Sequence, residues 1–298
     1  MAVFGTGNLK NLPRTIADGM VKQTVTGSTV AALSGREPMR FGNTDIITFN
    51  DFPKAEFVGE GAQKASTTGG FDFVTATPKK AQVTMRFNQE VQWADEDHQL
   101  GVLRELAAAG GIALSRALDL GLYYRINPLT GTAITGWTNY LNQTTKRVEI
   151  ATADADMDVE AAVGLLLADQ KTVNGMALDP SYAWTLSTAR FADGRKKFPE
   201  LGFGTNISNF LGINASVSNT VSGRPEATDT KVKAILGDFQ SGIRWGVQRE
   251  IPVELIEHGD PDGQGDLERN NQIALRLEIV YGWYVFADRF AVIENAVA

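Results

Sequence analysis

The chain contains no cysteine. That excludes disulfide staples, thiol nucleophiles and cysteine zinc sites together, and it fits folding in a reducing cytoplasm. Histidine is nearly as scarce. His98 and His258 are the only two, they fall in different predicted elements, and neither has a partner at metal-ligand spacing. Each reads as a surface or capping residue. Long apolar runs are also missing. The longest, Ala161 to Ala168, contains Gly164 and falls far short of the ~20 residues that span a bilayer. The opening MAVFGTGNLK has no apolar core of signal-peptide length, so a soluble chain is expected. HExxH, GxSxG and the phosphate-loop pattern GxxxxGK are absent. GTG at 5–7 and GFG at 202–204 are incomplete dinucleotide fingerprints and read as loops.

What is present is ordinary for a folded protein of one large domain or two modest ones: 298 residues, 43% hydrophobic and 21% charged. The net charge of −7 is unevenly spread. Residues 1–40 carry Lys10, Arg14, Lys22, Arg36 and Arg40 against Asp18 and Glu37, a net +3 that leaves −10 on the remainder. A nucleic-acid binder of high affinity needs a concentrated basic patch instead.

The stretch 57–87 predicts a long two-stranded arm with a tip of Gly, Ser and Thr. Val83, Met85 and Phe87 alternate with Thr84 and Arg86, and the alternation continues through Val91 and Trp93, the period of a half-buried strand. The first half of the hairpin is expected to carry Phe71 and Phe73. A lone hairpin is marginal in water, so the arm needs a surface to pack on. Residues 1–45 read as an extended arm with a short helical stretch at 15–21. A long helix is predicted from about Glu96 to Tyr124, with Leu103, Leu106, Ala107, Gly110, Leu114, Ala117, Leu118 and Gly121 on its apolar side. Arg104, Glu105, Ser115, Arg116 and Asp119 mark its wet side. Gly110-Gly111 should bend it. A second helix is expected from the acidic run Asp154–Glu160 to about Val173. A strand at 176–178 and a helix at 181–189 follow. Strands are read at 213–217, 232–237, 242–247, 250–257 and 271–286. Helices and strands interleave without regular alternation, which gives an α+β fold.

The loop 260–268 is the nearest feature to a chemical site. Asp260, Asp262 and Gly265 fit the first, third and sixth positions of a calcium loop, but Gln264 holds the fifth and Asn271 the twelfth, where a bidentate Glu belongs. A solvated acidic turn is the plain expectation, with Asp260, Asp262 and Asp266 as metal ligands the alternative.

Seven stretches carry a family resemblance. They are LPRTIADGMVKQTVTGSTVAAL (12–33), AEFVGEGAQ (55–63), PKKAQVTMRFNQEVQWADED (78–97), ALDPSYAWTLSTARFADGRKKF (177–198), LGINASVSN (211–219), LGDFQSGIRWGVQREIPVELIE (236–257) and NNQIALRLEIVYGWYVFADRFAVI (270–293). In this order, across nearly the whole chain, they resemble the major capsid proteins of tailed bacteriophages, the Hong Kong 97-type shell fold. The resemblance implies an N-terminal arm (1–45) and an extended loop (46–92). It also implies a peripheral domain with a spine helix (93–150 and 250–285) and an axial domain (151–249 and 286–298). The extended loop would lie across a neighbouring subunit, with Phe57, Val58, Glu60, Phe71, Phe73, Lys79 and Lys80 at the contact and a pliant tip at 65–70.

The implied function is structural, without enzyme activity or cofactor. Hexamers and pentamers would close an icosahedral head around double-stranded DNA, and rigid-body movements would mature it. Some members crosslink through a Lys–Asn isopeptide bond assisted by a Glu. Asn271 and Glu278 match that pair, but the donor Lys is not matched, since Lys64, Lys79 and Lys80 are displaced from its position. A non-covalent shell is therefore expected, with separate scaffold and portal proteins, a decoration protein as a further option, only non-specific contact with DNA, and no membrane. Its place would be the virion, after assembly in the bacterial cytoplasm. An encapsulin-type compartment is the alternative, and an enzyme using the acidic residues of 260–268 is a third reading.

Overall fold

A computed structural model describes residues 27–51, 54–67, 70–98, 101–150, 154–203 and 206–296. The helical stretch expected at 15–21 lies outside them. In chain order the elements are α1 (Thr29–Leu33), β1 (Thr44–Asp51), β2 (Gly70–Asn88), α2 (Gln89–His98), α3 (Val102–Tyr124), β3 (Ile126–Asn127), β4 (Thr132–Ala133), β5 (Arg147–Glu149) and α4 (Ala155–Ala168). They continue with β6 (Gly175–Leu178), α5 (Pro180–Thr188), β7 (Asn209–Phe210), β8 (Ile213–Val217), β9 (Val232–Gly237), β10 (Ile243–Ile256), β11 (Gln272–Val285) and β12 (Phe290–Glu294). The mixed α+β class is as expected.

Two sheets organise the chain. One has the order β1-β2-β11-β10, the other β5-β12-β9-β6-β8-β7. α4 and α5 cover the second sheet through Val159, Ala162, Leu166, Tyr182 and Leu186. The N-terminal half of α3 lies on the first sheet, where Leu114 meets Phe87, Ile273 and Leu277. Its C-terminal half shares one core with both sheets: Leu118, Leu120, Leu122 and Tyr123 join Trp245 and Trp283 from the first, and Ile235 and Val292 from the second. α3 is thus the beam that joins the two units. At 1.5 Å per residue, its 23 residues span about 35 Å.

Several sequence expectations are corrected here. The long helix is two helices, because Gly101 adopts left-handed φ 67° at the start of α3. Val91 and Trp93 belong to α2, not to a strand. α3 runs through Gly110-Gly111 without interruption. Gly110 allows close approach instead: a Cβ there would lie 3.0 Å from Leu277. Arg116 and Asp119 are not on a wet side but buried, at 2% and 0% exposure. α4 stops at Ala168. The strands read at 242–247 and 250–257 are one bulged strand, β10.

The segment before β1 is welded to the body. Glu37 N donates to Trp245 O at 2.9 Å, and Gln248 Nε2 donates to Gly42 O at 2.8 Å. This strap crosses the sheet where Gly246 faces Gly282 in register. A Cβ on Gly246 would lie 2.2 Å from Glu37 O, and one on Gly282 would lie 3.1 Å from Met39 Sδ. The glycine pair is a notch that admits another backbone. Gly246→Val is therefore expected to cost about 1–3 kcal/mol through overpacking and to speed hydrogen exchange at 36–42. Unchanged exchange there would show that the strap is held by other contacts.

Candidate functional site: assembly surfaces

β2 builds the extended loop and changes partner along its length. Residues 70–76 pair with β1, and residues 77–88 pair with β11. The arm foreseen from the sequence therefore has its root in its own chain, and only the ribbon of 44–51 and 70–76 extends past the part of β2 that pairs with β11. Phe71 and Phe73 both lie on β2, not on the first half of the hairpin, and the opposing strand is β1, with Ile47 opposite Phe73. Ile47 and Phe73 are mostly exposed. Residues 54–67 carry no regular strand and every one of them is exposed. Phe57 is 105% exposed, Val58 39%, and Glu60 sits at the turn closed by Ala62 N to Gly59 O.

Lys79 and Lys80 at the root have partners within the chain. Lys80 Nζ meets Glu278 at 2.8 Å. Lys79 Nζ lies 4.3 Å from the Trp283 ring centroid and 5.6 Å from that of Trp137. It also donates to the Thr77 carbonyl and hydroxyl. Burial pushes its amine down to about 8. Between pH 8 and the ordinary lysine value the unfolded chain holds more protons than the folded one, so stability rises with pH in that window. Lys79→Met is expected to abolish that rise. A rising limb that survives in the Met variant would assign it to another group.

Asn271 and Glu278 do not come together within one chain. Seven residues of extended chain separate them by about 23 Å. Asn271 is exposed in a left-handed conformation, φ 55°, and its Nδ2 donates to Glu90 Oε1 at 2.8 Å. Glu278 is held by Lys80.

In the loop 260–268 the position a cation would take among the carboxylates holds a guanidinium. Arg86, its side chain 5% exposed, meets Asp262 with Nη2 and with Nε, the latter at 3.2 Å. It also reaches Asp260 at 3.2 Å and the Gly265 carbonyl at 2.9 Å. Asp260 further accepts from Gln264 N and Gly265 N. Asp266 caps the next turn through Arg269 N. Among the described residues no three His, Asp or Glu side chains form a group that could hold a metal ion. His98 ends α2, and His258 stands at the surface 3.4 Å from Glu268.

Two buried polar knots escaped the sequence reading. Asp119 of α3 accepts from Ser28 Oγ, Thr29 N at 2.8 Å, Thr29 Oγ1 at 2.9 Å, Val30 N at 3.2 Å and Thr220 Oγ1 at 2.7 Å. One carboxylate thereby ties α1, the spine helix and the 3-10 turn 219–222. Arg116 holds Glu226 through two nitrogens, Asn219 at 2.7 Å and the Arg224 carbonyl at 2.8 Å. The signal was there to read: both charges interrupt a helix that is apolar on every side, LSRALDLGLYY, and a helix apolar all round is a buried one.

A shallow groove of about 330 Å³ beside α4 and α5 is lined by Ile150, Ser181, Tyr182 and Lys233, among others. No helix among the described residues is long and apolar enough to cross a membrane.

No family model matches the sequence, and no curated protein matches it. Solved structures do. One from Mycobacterium phage Ogopogo is 46% identical over 99% of this chain and 100% of its own, with TM-score 0.84. One from Gordonia phage Cozz is 27% identical over 98% of this chain and 94% of its own, with TM-score 0.83. The capsid of an empty GTA particle shares the fold at 15% identity, covering 98% of this chain and 97% of its own, with TM-score 0.61. The relation to phage structures runs from end to end, and it joins the beam-and-two-sheet architecture and the ribbon to a shell role: the chain belongs to the major capsid proteins of tailed bacteriophages and has the Hong Kong 97-type fold.

Proposed function

We propose that copies of this chain form the hexamers and pentamers of an icosahedral head that encloses double-stranded DNA. One observation carries this reading. The ribbon and residues 54–67 leave the body with Phe57 fully exposed and none of the described residues covering it. Covering such a side chain on a neighbour gains roughly 1.5–3 kcal/mol, and contacts of that size, repeated around a closed shell, add through multivalency. In this reading 1–45 is the arm and 46–92 the extended loop. The peripheral domain is 93–150 with 250–285, and the axial domain is 151–249 with 286–298. The net charge of −7 suits a container that must not grip its DNA. Separate scaffold and portal proteins, assembly in the bacterial cytoplasm and a place in the virion belong to the same proposal. The end-to-end phage relatives favour a phage head over an encapsulin compartment.

The test is negative-stain microscopy with size-exclusion chromatography, on the chain alone and with its neighbouring phage genes. Closed polyhedra or capsomer rings are expected. A monomer or dimer under both conditions would overturn the proposal.

A further inference from the structure

α4 poses a problem that the described residues of one copy do not solve. Its C-terminal half reads AAVGLLLA (161–168), without a polar side chain on any face. Such a helix belongs inside a core. Yet only one side of α4 is buried. Val159, Ala162 and Leu166 face the sheet at 3% exposure or less, while Met157 is 59%, Leu165 41% and Leu167 60% exposed. The helix itself is acidic: 154–169 holds Asp154, Asp156, Asp158, Glu160 and Asp169 and no base. Lys197 and Lys146 pair with three of these within the chain, and Glu160 stands exposed beside the apolar face. A complementary cover must therefore be apolar and basic.

The loop 190–203, with Trp184 of α5 beside it, has that character. Trp184 is 52% exposed, Phe191 53% and Phe203 72%. Trp184 and Phe203 stack with planes 12° apart, and Lys196 Nζ lies 5.4 Å from the Phe203 ring centroid. Arg190, Arg195, Lys196 and Lys197 outnumber Asp193 and Glu200. Lys197 already spans Asp154 at 2.9 Å and Asp156 at 3.1 Å within the chain. That contact shows the chemistry by which this loop meets an α4, and it leaves Arg190 and Arg195 exposed.

We infer that the exposed face of α4 in one copy is covered by the aromatic, basic loop 190–203 of the next copy around a ring. The two patches are distinct sets of residues, so they can meet head-to-tail, and a head-to-tail contact closes into a ring when its rotation permits. The inference rests on the shell reading above and names the faces that meet inside each capsomer.

The absence of cysteine gives a clean test. The double variant Leu165→Cys, Phe203→Cys is assembled into particles, oxidised and run on a non-reducing gel. A ladder of bands ending at the hexamer is expected, with each single variant remaining at the monomer. Particles that give no ladder, or that link instead to a co-purifying protein, would overturn the inference and leave the shell reading intact. Charge reversal serves if the cysteine pair impairs folding. Arg195→Glu is expected to lower ring yield about tenfold by setting like charges face to face, and adding Glu160→Lys to restore it. A loss without restoration would sink the inference. If the unaltered chain forms no rings or shells even with its phage neighbours, the shell reading falls, and this one with it.

Discussion

Replacing Asp119 by alanine is expected to lower the stability of the unassembled subunit by about 3–5 kcal/mol, because it orphans a buried network rather than one bond. Ser28, Thr29, Val30 and Thr220 supply the donors, and Asp119 itself is fully buried. Its loss takes the carboxylate acceptor from Thr29 N, Val30 N and the Thr220 hydroxyl, and leaves the 3-10 turn 219–222 hydrogen-bonded to the spine helix through Arg116 and Tyr124. Urea unfolding, with hydrogen exchange at 28–34, is the measurement. A loss below about 1 kcal/mol would mean that water or relaxation replaces the carboxylate. The pH dependence has a definite sign. Burial raises the Asp119 carboxyl above its ordinary value, against the pull of its hydrogen-bond donors. The folded chain therefore binds that proton more tightly than the unfolded chain. The Asp119 contribution is greatest in acid and declines as pH rises through the raised value. Asp119→Asn removes this decline.

Arg86→Ala is the second large effect, about 1–3 kcal/mol, since it removes a buried guanidinium and leaves the partly buried Asp262 carboxylate and the Gly265 carbonyl without their donor. Arg86 is the one group that gathers Asp260, Asp262, the Gly265 carbonyl and Gln272, so the whole turn between β10 and β11 is expected to loosen. Proteolysis between 258 and 270 should quicken in the variant. An unchanged cleavage rate would show that the turn's backbone bonds suffice. Partial screening from water raises the Asp260 carboxyl, but the backbone N–H groups of Gly265, Gln264 and Gly263 and the Arg86 charge outweigh it and hold the carboxyl low. Its contribution is present above the ordinary aspartate value and is lost as pH falls through the lowered one. Because the guanidinium fills the space, calcium is expected to leave the melting temperature of the unaltered chain unchanged. A rise with calcium would show that a metal can displace Arg86.

Local signals were legible where the chain obeys one rule at a time. Asp179-Pro180 marks the start of α5, and the structure shows why: Pro180 takes the first turn and Asp179 Oδ1 accepts from Ser181 N at 2.9 Å. The strands 213–217 and 232–237 stand where alternation and apolar runs place them. Legibility failed where tertiary demands override periodicity. Arg116 and Asp119 look like a solvated stripe because charge normally faces water, and only their long-range partners reveal that they are buried. Val91 and Trp93 continue the alternation of β2, yet the chain turns helical at Gln89 to pack Val91 against Phe87 and Leu114. For the candidate site, the sequence shows a hairpin and an acidic turn. It cannot show that Arg86, 174 positions from Asp260, fills that turn, nor that β2 exchanges one partner for another at residue 76.

That exchange has a mechanical meaning. Tension applied at the tip of the ribbon divides between two load paths. Along β2 it enters the ladder of residues 77–88 with β11. Bonds across an antiparallel pair lie perpendicular to the strands, so a pull along β2 loads the ladder in shear, with its rungs sharing the force rather than parting in turn. Along β1 the tension runs back through the strap in the glycine notch to α1, and from there to Asp119 on the spine helix. Both paths end on the same beam, so a pull on the ribbon reaches α3 as torque rather than as local unravelling.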